Sequence, residues 1–247
     1  MVKKFDILTL FPDSFRSYLE ASLLGKALEK GLTQIKLHQL RDYTLDKHRR
    51  VDDDTYGGGE GMVLKPEPLA RAIATIRQDY QKGRVIYLSP QGRRLTQNII
   101  AELSVYDELL LVCGRYEGID ERIIEGWVDE EISLGDFVLL GGEIPALALV
   151  EALVRLIPGV VGKENSVRDE SFAQGLLEYP HYTRPEVFEG LAVPQVLLEG
   201  NHGEIKKWRC EQSIKRTFLK RPDLLNNIKL PKEDEVLLDK LKKDYEA

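Results

Sequence analysis

The sequence predicts an α/β fold with a mainly parallel sheet, followed by a small, mostly helical domain. Through the first 150 or so residues, short apolar runs rich in β-formers alternate with longer helical patterns, which is typical of βαβ units. The chain has 247 residues, 43% hydrophobic and 31% charged, so it can bury a sizeable core and lacks a disordered or fibrous composition. We expect an α/β domain over residues 1–160, a flexible linker over 161–175 and a helical domain over 176–247.

The apolar runs place the elements of the first domain in order. Four of them predict strands, at residues 5–10, 35–40, 85–88 and 109–113. Amphipathic patterns predict helices at 15–30 and 68–81.

A further predicted helix, over residues 145–157, is apolar almost all round. Pro145 suits the first helical position, and Pro158 with Gly159 ends the helix. Such a helix needs to be covered on every side. Its two polar residues, Glu151 and Arg155, are four apart, which fits an ion pair along the helix. The alternative is that Arg155 is a buried cation serving a site.

Two predicted strands run directly into segments with turn residues. Pro90 and Gly92 follow the strand at 85–88, while Gly114 and Gly118 follow the strand at 109–113. Ligands of open α/β sheets bind beyond the carboxyl ends of strands, so these loops are the expected pocket, although plain connections would look the same. The glycine-bearing segment 132–143 is placed to close the same pocket.

The motif content excludes several common enzyme classes. GxGxxG, P-loop, HExxH and GxSxG patterns are absent, and four scattered histidines with two distant cysteines provide no metal-ligand spacing. We therefore expect no metal site. The run YGGGEGM at 56–62 permits a close backbone approach to a ligand or a lid, but a flexible hairpin has the same composition.

The charge distribution favours a partner for the second domain. The net charge is −6, yet residues 204–229 hold eight Lys or Arg against three acidic residues. This basic face predicts either a nucleic-acid contact or a solvated helix surface. The first apolar run, before Pro12, is too short for a signal or membrane segment, so we expect a cytoplasmic protein without a membrane partner.

Several blocks in order resemble one enzyme family, the bacterial tRNA (guanine-N1-)-methyltransferases of the trefoil-knotted SPOUT class. They cover nearly the whole chain: DILTLFPDSF, VDDDTYGGGEGMVLKPEPL, YLSPQG, CGRYEGIDER, ISLGDFVLLGGEIPALAL, GLLEYPHYTRPEVFEG, NHGEIKKWR and RPDLL. The resemblance implies a SPOUT-type sheet with a deep trefoil knot and methylation of N1 of the guanine at tRNA position 37, just 3′ of the anticodon. General rules of chain connection argue against a knot, so it follows from the resemblance alone.

The cofactor that the resemblance implies is S-adenosylmethionine, with Mg²⁺ left open because no residue pattern assigns it ligands. The expected cofactor residues, taken position by position, lie in the three glycine-bearing segments. They are Tyr87, Leu88, Ser89, Pro90, Gln91, Gly114, Tyr116, Glu117, Gly118, Leu134, Gly135, Asp136, Phe137, Val138, Leu139, Gly141 and Gly142.

The implied catalytic pair is an acid and an arginine. Guanine N1 carries a proton, so methyl transfer needs a base, together with a donor that steadies charge on O6. The family aspartate aligns with Glu170, a departure that keeps the carboxylate, and Asp169 is the reserve base. Arg155 is the expected O6 partner. Glu60 in place of proline and Leu140 in place of serine are smaller departures.

The resemblance also implies a homodimer in which two subunits build each active site, with the apolar helix at the contact. The basic face would then bind phosphates of the tRNA anticodon stem-loop. Two alternatives remain: a knotted methyltransferase of ribose 2′-hydroxyls, and a cofactor-sensing RNA-binding protein without catalysis.

Overall fold

The computed structural model describes residues 2, 4–162, 170–173 and 175–246. The chain forms two compact units, Met1–Gly162 and Lys163–Ala247.

The first unit is built on a five-stranded parallel sheet in the order β2-β1-β6-β5-β7. A separate antiparallel pair, β3 and β4, forms a hairpin. The strands are β1 (Lys4–Thr9), β2 (Gln34–Gln39), β3 (Asp52–Asp54), β4 (Met62–Leu64), β5 (Gly83–Arg94), β6 (Glu108–Cys113) and β7 (Glu130–Ser133). The prediction of an α/β fold with a parallel sheet is confirmed.

Helices cover both faces of this sheet. They are α1 (Arg16–Leu19), α2 (Ser22–Glu29), α3 (Pro66–Ile76), α4 (Gln97–Leu103), α5 (Glu121–Trp127) and α6 (Glu143–Val154). Alternate strand residues enter opposite clusters: Leu109 and Leu111 pack on the side of α4 and α6, whereas Leu110 and Val112 pack on the side of α3 and α5. Burial of both faces explains why the central strands are continuous apolar runs.

Two predicted elements differ from the structure in extent. The strand at 85–88 was expected to end before Pro90, but β5 continues to Arg94, because a register shift after Leu88 lets Arg93 and Arg94 pair with β7. The helix at 15–30 is broken into a 3-10 turn, α1 and α2. Ser22 has φ 57°, a left-handed conformation that interrupts the helix there.

The apolar helix begins earlier than predicted, and the described residues do not cover it on every side. Helix α6 starts at Glu143, so Pro145 lies in the first turn rather than at its first position. Its buried residues, spaced three and four apart, face the sheet, while Ile144 is 58% exposed.

A polar cluster is buried beside β1. Asp6 Oδ1 lies 2.6 Å from His38 Nε2, and Asp6 Oδ2 accepts from the Tyr80 hydroxyl at 2.7 Å and lies 3.0 Å from Lys4 Nζ. Burial alone would raise the pKa of Asp6, but the hydrogen bonds from these three partners outweigh it and hold that pKa below its ordinary value. The carboxylate therefore stays charged in the core.

The described residues of the second unit form two α-helices and a short hairpin. They are β8 (Val187–Phe188), β9 (Leu191–Ala192), α7 (His202–Lys220) and α8 (Lys232–Glu246). Asn201 caps α7 by accepting from the amides of Gly203 and Glu204. Phe218 and Tyr245 join α7 to α8 with an edge-to-face ring contact at 5.6 Å between centroids.

Among the described residues, no helix combines the length and apolar character needed to span a bilayer.

Candidate functional site

A cavity of about 270 Å³ lies at the bulge of β5 and beyond the carboxyl ends of β6 and β7, the two strands that pair with β5. Three segments line it: the bulge in β5, the loop after β6 and the loop between β7 and α6. The lining residues are Tyr87, Leu88, Ser89, Pro90, Gly114, Arg115, Tyr116, Glu117, Gly118, Ile132, Ser133, Leu134, Phe137, Val138, Leu139, Leu140, Gly141, Gly142 and Pro145. The two strand-end loops and the third glycine segment thus meet at one place.

All but three of the residues expected to hold a cofactor line this cavity. Gln91 is exposed, and its amide donates to Ser89 Oγ at 3.1 Å. Gly135 is turned around Ser133, whose hydroxyl donates to the Gly135 carbonyl at 3.0 Å. Asp136 is exposed and pairs with Arg94 at 3.3 Å. These three residues lie beside the cavity rather than in its wall.

Tyr87 forms the floor of the cavity, and its ring leaves no room for a side chain at two of the glycines in the wall. A Cβ on Gly114 would lie 2.8 Å from the Tyr87 hydroxyl, and a Cβ on Gly118, where φ is +128°, would lie 3.2 Å from it. Burial, with a smaller contribution from Glu131, raises the pKa of Tyr87 to about 12, so the phenol is neutral. The loop after β6 can therefore pass directly over the ring.

The cavity wall suits a ligand with a flat ring that is held by backbone groups. Glycines at 114, 118, 141 and 142 expose main-chain amides and carbonyls without side chains in front of them. Tyr116, which is not glycine, has φ 59°, a left-handed conformation that costs free energy and often marks functional loops. Phe137 and Val138 add apolar surface, at 54% and 82% exposure. A nucleoside with a polar ring edge matches these groups.

The glycine run at 56–62 connects β3 to β4 and touches the cavity loop. Gly57, Gly58, Gly59 and Gly61 all have positive φ. The Glu117 amide donates to the Met62 carbonyl at 3.0 Å, and a Cβ on Gly61 would lie 2.6 Å from Glu117 Oε1. The hairpin therefore packs closely against a residue of the cavity wall.

Five lining residues were not identified from the sequence: Arg115, Ile132, Ser133, Leu140 and Pro145. Of these, Arg115 carries the clearest signal, since it stands between the predicted residues Gly114 and Tyr116. Its place in the wall depends on contacts with residues 140–143, distant in sequence.

Arg155 directly follows α6 and is exposed in this single chain, so the chain alone does not bury the cation, and a role of Arg155 in a site stays a prediction. The buried stripe of α6 consists of residues such as Leu149 and Leu153, and position 155 is off that stripe. The pKa of Tyr18 is raised by loss of solvation and by the charge of Glu151 on the same helix.

Glu170 belongs to the second unit and is half-buried. It lines a groove of about 630 Å³ together with the aromatic ring of Tyr179 and basic residues of α7, Lys206 and Arg209. The Ala173 amide donates to the Glu170 carbonyl at 3.1 Å, which closes a turn. Asp169, the reserve base, lies outside the described residues.

The basic face of α7 is accompanied by aromatic rings. Lys206, Lys207 and Arg209 are exposed, and the Arg209 guanidinium lies 4.6 Å from the centroid of Tyr179. Tyr182 and Trp208 are 6.3 Å apart between centroids. Cations beside flat rings suit the phosphates and bases of an unpaired nucleic-acid strand.

No three His, Cys, Asp or Glu side chains within the described part of the chain are grouped to hold a metal ion.

Comparison with known proteins identifies the family. The family model described as tRNA (Guanine-1)-methyltransferase TrmD matches residues 3–227. A protein of Dictyoglomus turgidum named tRNA (guanine-N(1)-)-methyltransferase is 52% identical over 241 residues, which cover 98% of this chain and 97% of the relative. Proteins of the same name from Haemophilus ducreyi and Pasteurella multocida are 50% identical over 244 residues and 52% identical over 240 residues. These two alignments each cover 97% of this chain, and 97% and 98% of the respective relatives.

The matches span nearly the whole chain, and the resemblance noted in the sequence blocks is confirmed. The chain belongs to the tRNA (guanine-1)-methyltransferase TrmD family.

Proposed function

We propose that this protein transfers a methyl group from S-adenosylmethionine to N1 of the guanine at tRNA position 37, immediately 3′ of the anticodon. The observation that carries the proposal is the cavity at β5, β6 and β7, where most of the residues aligned with the family's cofactor loops meet. The family and the names of its members support the reaction class. We propose a cytoplasmic enzyme that acts on tRNA, which is consistent with the family and with the names of its members.

The donor would lie on Tyr87 and be enclosed by the loops at 114–118 and 134–142. Bound there, it supplies an electrophilic methyl group on a sulfonium. Backbone groups next to Gly114, Gly118 and Gly141 would hydrogen-bond the adenine edge, which explains binding without a Rossmann glycine motif. We further propose that these loops form the deep trefoil knot of the SPOUT class.

The chemistry would be performed by a carboxylate and a guanidinium. Glu170 accepts the N1 proton as the methyl group is transferred, and Arg155 donates to O6, where negative charge grows. Asp169 is the alternative base. The linker over residues 161–175 would bring the acid to the site when tRNA docks, and the target base is turned out of its stack to reach it.

A homodimer would complete the site, with Arg155, Glu170 and the cavity contributed by two subunits. Exposed apolar residues support a covering partner: Leu140, in the cavity wall, is 90% exposed, and Ile144, at the start of α6, is 58% exposed. The basic face of α7 would grip tRNA phosphates, which adds affinity without base choice.

The proposal is tested by methyl transfer to tRNA transcripts. A transcript with guanine at position 37 is expected to gain one methyl group per tRNA molecule. The same transcript with adenine at position 37 is expected to gain none. Mapping the modified nucleotide decides the alternatives: a methyl group on a ribose oxygen would indicate a 2′-O enzyme. Binding of donor and tRNA without transfer would indicate a non-catalytic RNA-binding protein.

Arg155→Gln is expected to lower kcat by about 10²- to 10³-fold, the usual cost of losing a donor to developing charge. Because Arg155 is exposed, the thermal midpoint should stay close to that of the wild type. Single-turnover rates and a melting curve measure the two effects. An active variant would remove Arg155 from the catalytic pair.

A further inference from the structure

A buried acid at the start of α6 lies next to the cavity without lining it. Glu143 is 5% exposed, and the other buried residues of α6 are apolar. A carboxylate in such surroundings is costly unless hydrogen bonds and opposite charge compensate it. Partners are therefore expected at both of its oxygens.

Both oxygens have partners. Thr9, at the carboxyl end of β1, donates from Oγ1 to Glu143 Oε1 at 2.7 Å. Arg115 Nη2 lies 3.0 Å from Glu143 Oε2, and Arg115 Nε donates to Oε1 at 3.4 Å. Charge-assisted bonds of this kind fix orientation more strongly than neutral ones. Glu143 thus holds Arg115 to α6, and Thr9 holds Glu143 to β1.

Arg115 then joins two walls of the cavity. It belongs to the loop after β6, and its Nη1 donates to the Leu140 carbonyl at 3.2 Å. Arg115 and Gly141 also form an isolated antiparallel bridge. The guanidinium lies 4.5 Å from the centroid of the Phe11 ring, which covers its other side.

The backbone of Gly141 packs directly against this cluster. A Cβ on Gly141 would lie 2.4 Å from Arg115 Nε and 2.6 Å from Glu143 Oε2. A shift of Glu143 would therefore move Arg115, and with it the relative position of the two loops.

We infer that Glu143 and Thr9 are positioning residues for the methyl donor. They hold Arg115, and through Arg115 they hold the loop after β6 against the loop before α6. The inference rests on the proposed function, because it is the donor that these loops would enclose. Neither residue lines the cavity, so each acts on the donor through Arg115.

The test compares donor affinity with stability. Thr9→Val removes the hydroxyl at nearly constant volume and is expected to raise the Kd for S-adenosylmethionine, measured by calorimetry, by about fivefold. Glu143→Gln keeps the shape but loses the charge, and a rise of about tenfold is expected. The KM for the donor should rise in parallel with kcat unchanged. Thr9→Ser keeps the hydroxyl and should bind S-adenosylmethionine with the affinity of the wild type.

Tyr80→Phe is the matched control, since it removes one hydroxyl from the buried Asp6 carboxylate, and neither residue lines the cavity. It is expected to lower the thermal midpoint without changing the Kd for the donor. If Tyr80→Phe lost as much donor affinity as Thr9→Val, the loss in Thr9→Val would be explained by general destabilisation. The inference would then be overturned.

If the wild-type chain binds the donor and the donor affinity is unchanged in Thr9→Val and Glu143→Gln, the inference is overturned. The proposed function is then unaffected. A wild-type chain that does not bind the donor would instead overturn the proposed cofactor site, and the inference with it.

Discussion

Glu170→Gln is expected to lower the rate of guanine methylation by about 10²- to 10⁴-fold, the range that a general base contributes. The amide has the size of the carboxylate but cannot take the N1 proton. Because Glu170 belongs to the second unit and does not line the cavity at β5, β6 and β7, the Kd for S-adenosylmethionine should be unchanged. Single-turnover methylation and donor calorimetry measure the two quantities.

Two further variants decide which acid is the base. Glu170→Asp keeps a carboxylate with one methylene fewer and should recover much of the rate, since the resemblance to the family implies an aspartate at this position. Asp169→Asn should remain active. If Asp169→Asn were inactive and Glu170→Gln active, Asp169 would be the base. Glu170 would then lie near the site without a role in proton transfer.

Some of the site is readable from sequence because it follows from local rules. The carboxyl ends of parallel strands meet at one edge of a sheet, so apolar runs followed by glycines were sufficient to bring residues near Leu88 and Gly114 to a common pocket. The register between segments that are distant in sequence does not follow from local rules. That β5 passes Pro90 and pairs again at Arg93 depends on β7, whose four residues carry little strand signal.

Motif matching also treats a loop as a unit, whereas the fold sorts its residues. Gly135 and Asp136 lie in the same run as Leu134 and Phe137, but the run turns around Ser133 and excludes them from the wall. Arg115 was passed over for the opposite reason. Its contacts with Leu140 and Glu143 are made across 25 and 28 residues, and no spacing within its own loop reveals them.

The exposure of Arg155 shows a further limit of patterns. A charge in an apolar run predicts a buried cation only if the run is a helix enclosed on all sides. In this chain α6 has one buried stripe, and Arg155 follows its last residue outside that stripe.

Gly142→Ala is expected to disrupt the cavity more than any other single methyl addition in its walls. The backbone of Gly142 has φ −81°, which alanine adopts freely, so the effect comes from space alone. A Cβ there would lie 2.7 Å from Cys113 Cα and 3.1 Å from the Gly114 nitrogen. These are main-chain atoms at the end of a central strand and cannot rotate away. The Gly142 amide also donates to the Gly114 carbonyl at 3.1 Å, so the methyl group would part the two loops at their hydrogen bond.

Overpacking of this kind should lower the free energy of unfolding by about 1–3 kcal/mol. A displacement near 1 Å in the wall should lower the rate of methyl transfer by about 100-fold and weaken donor binding as well. Gly126→Ala is the matched control: Gly126 lies within α5, its added Cβ would meet nothing within 4 Å, and alanine is the better helix former. It should leave donor affinity unchanged and the fold at least as stable. Equal donor affinities for the two variants would show that the contact between residues 114 and 142 does not shape the site.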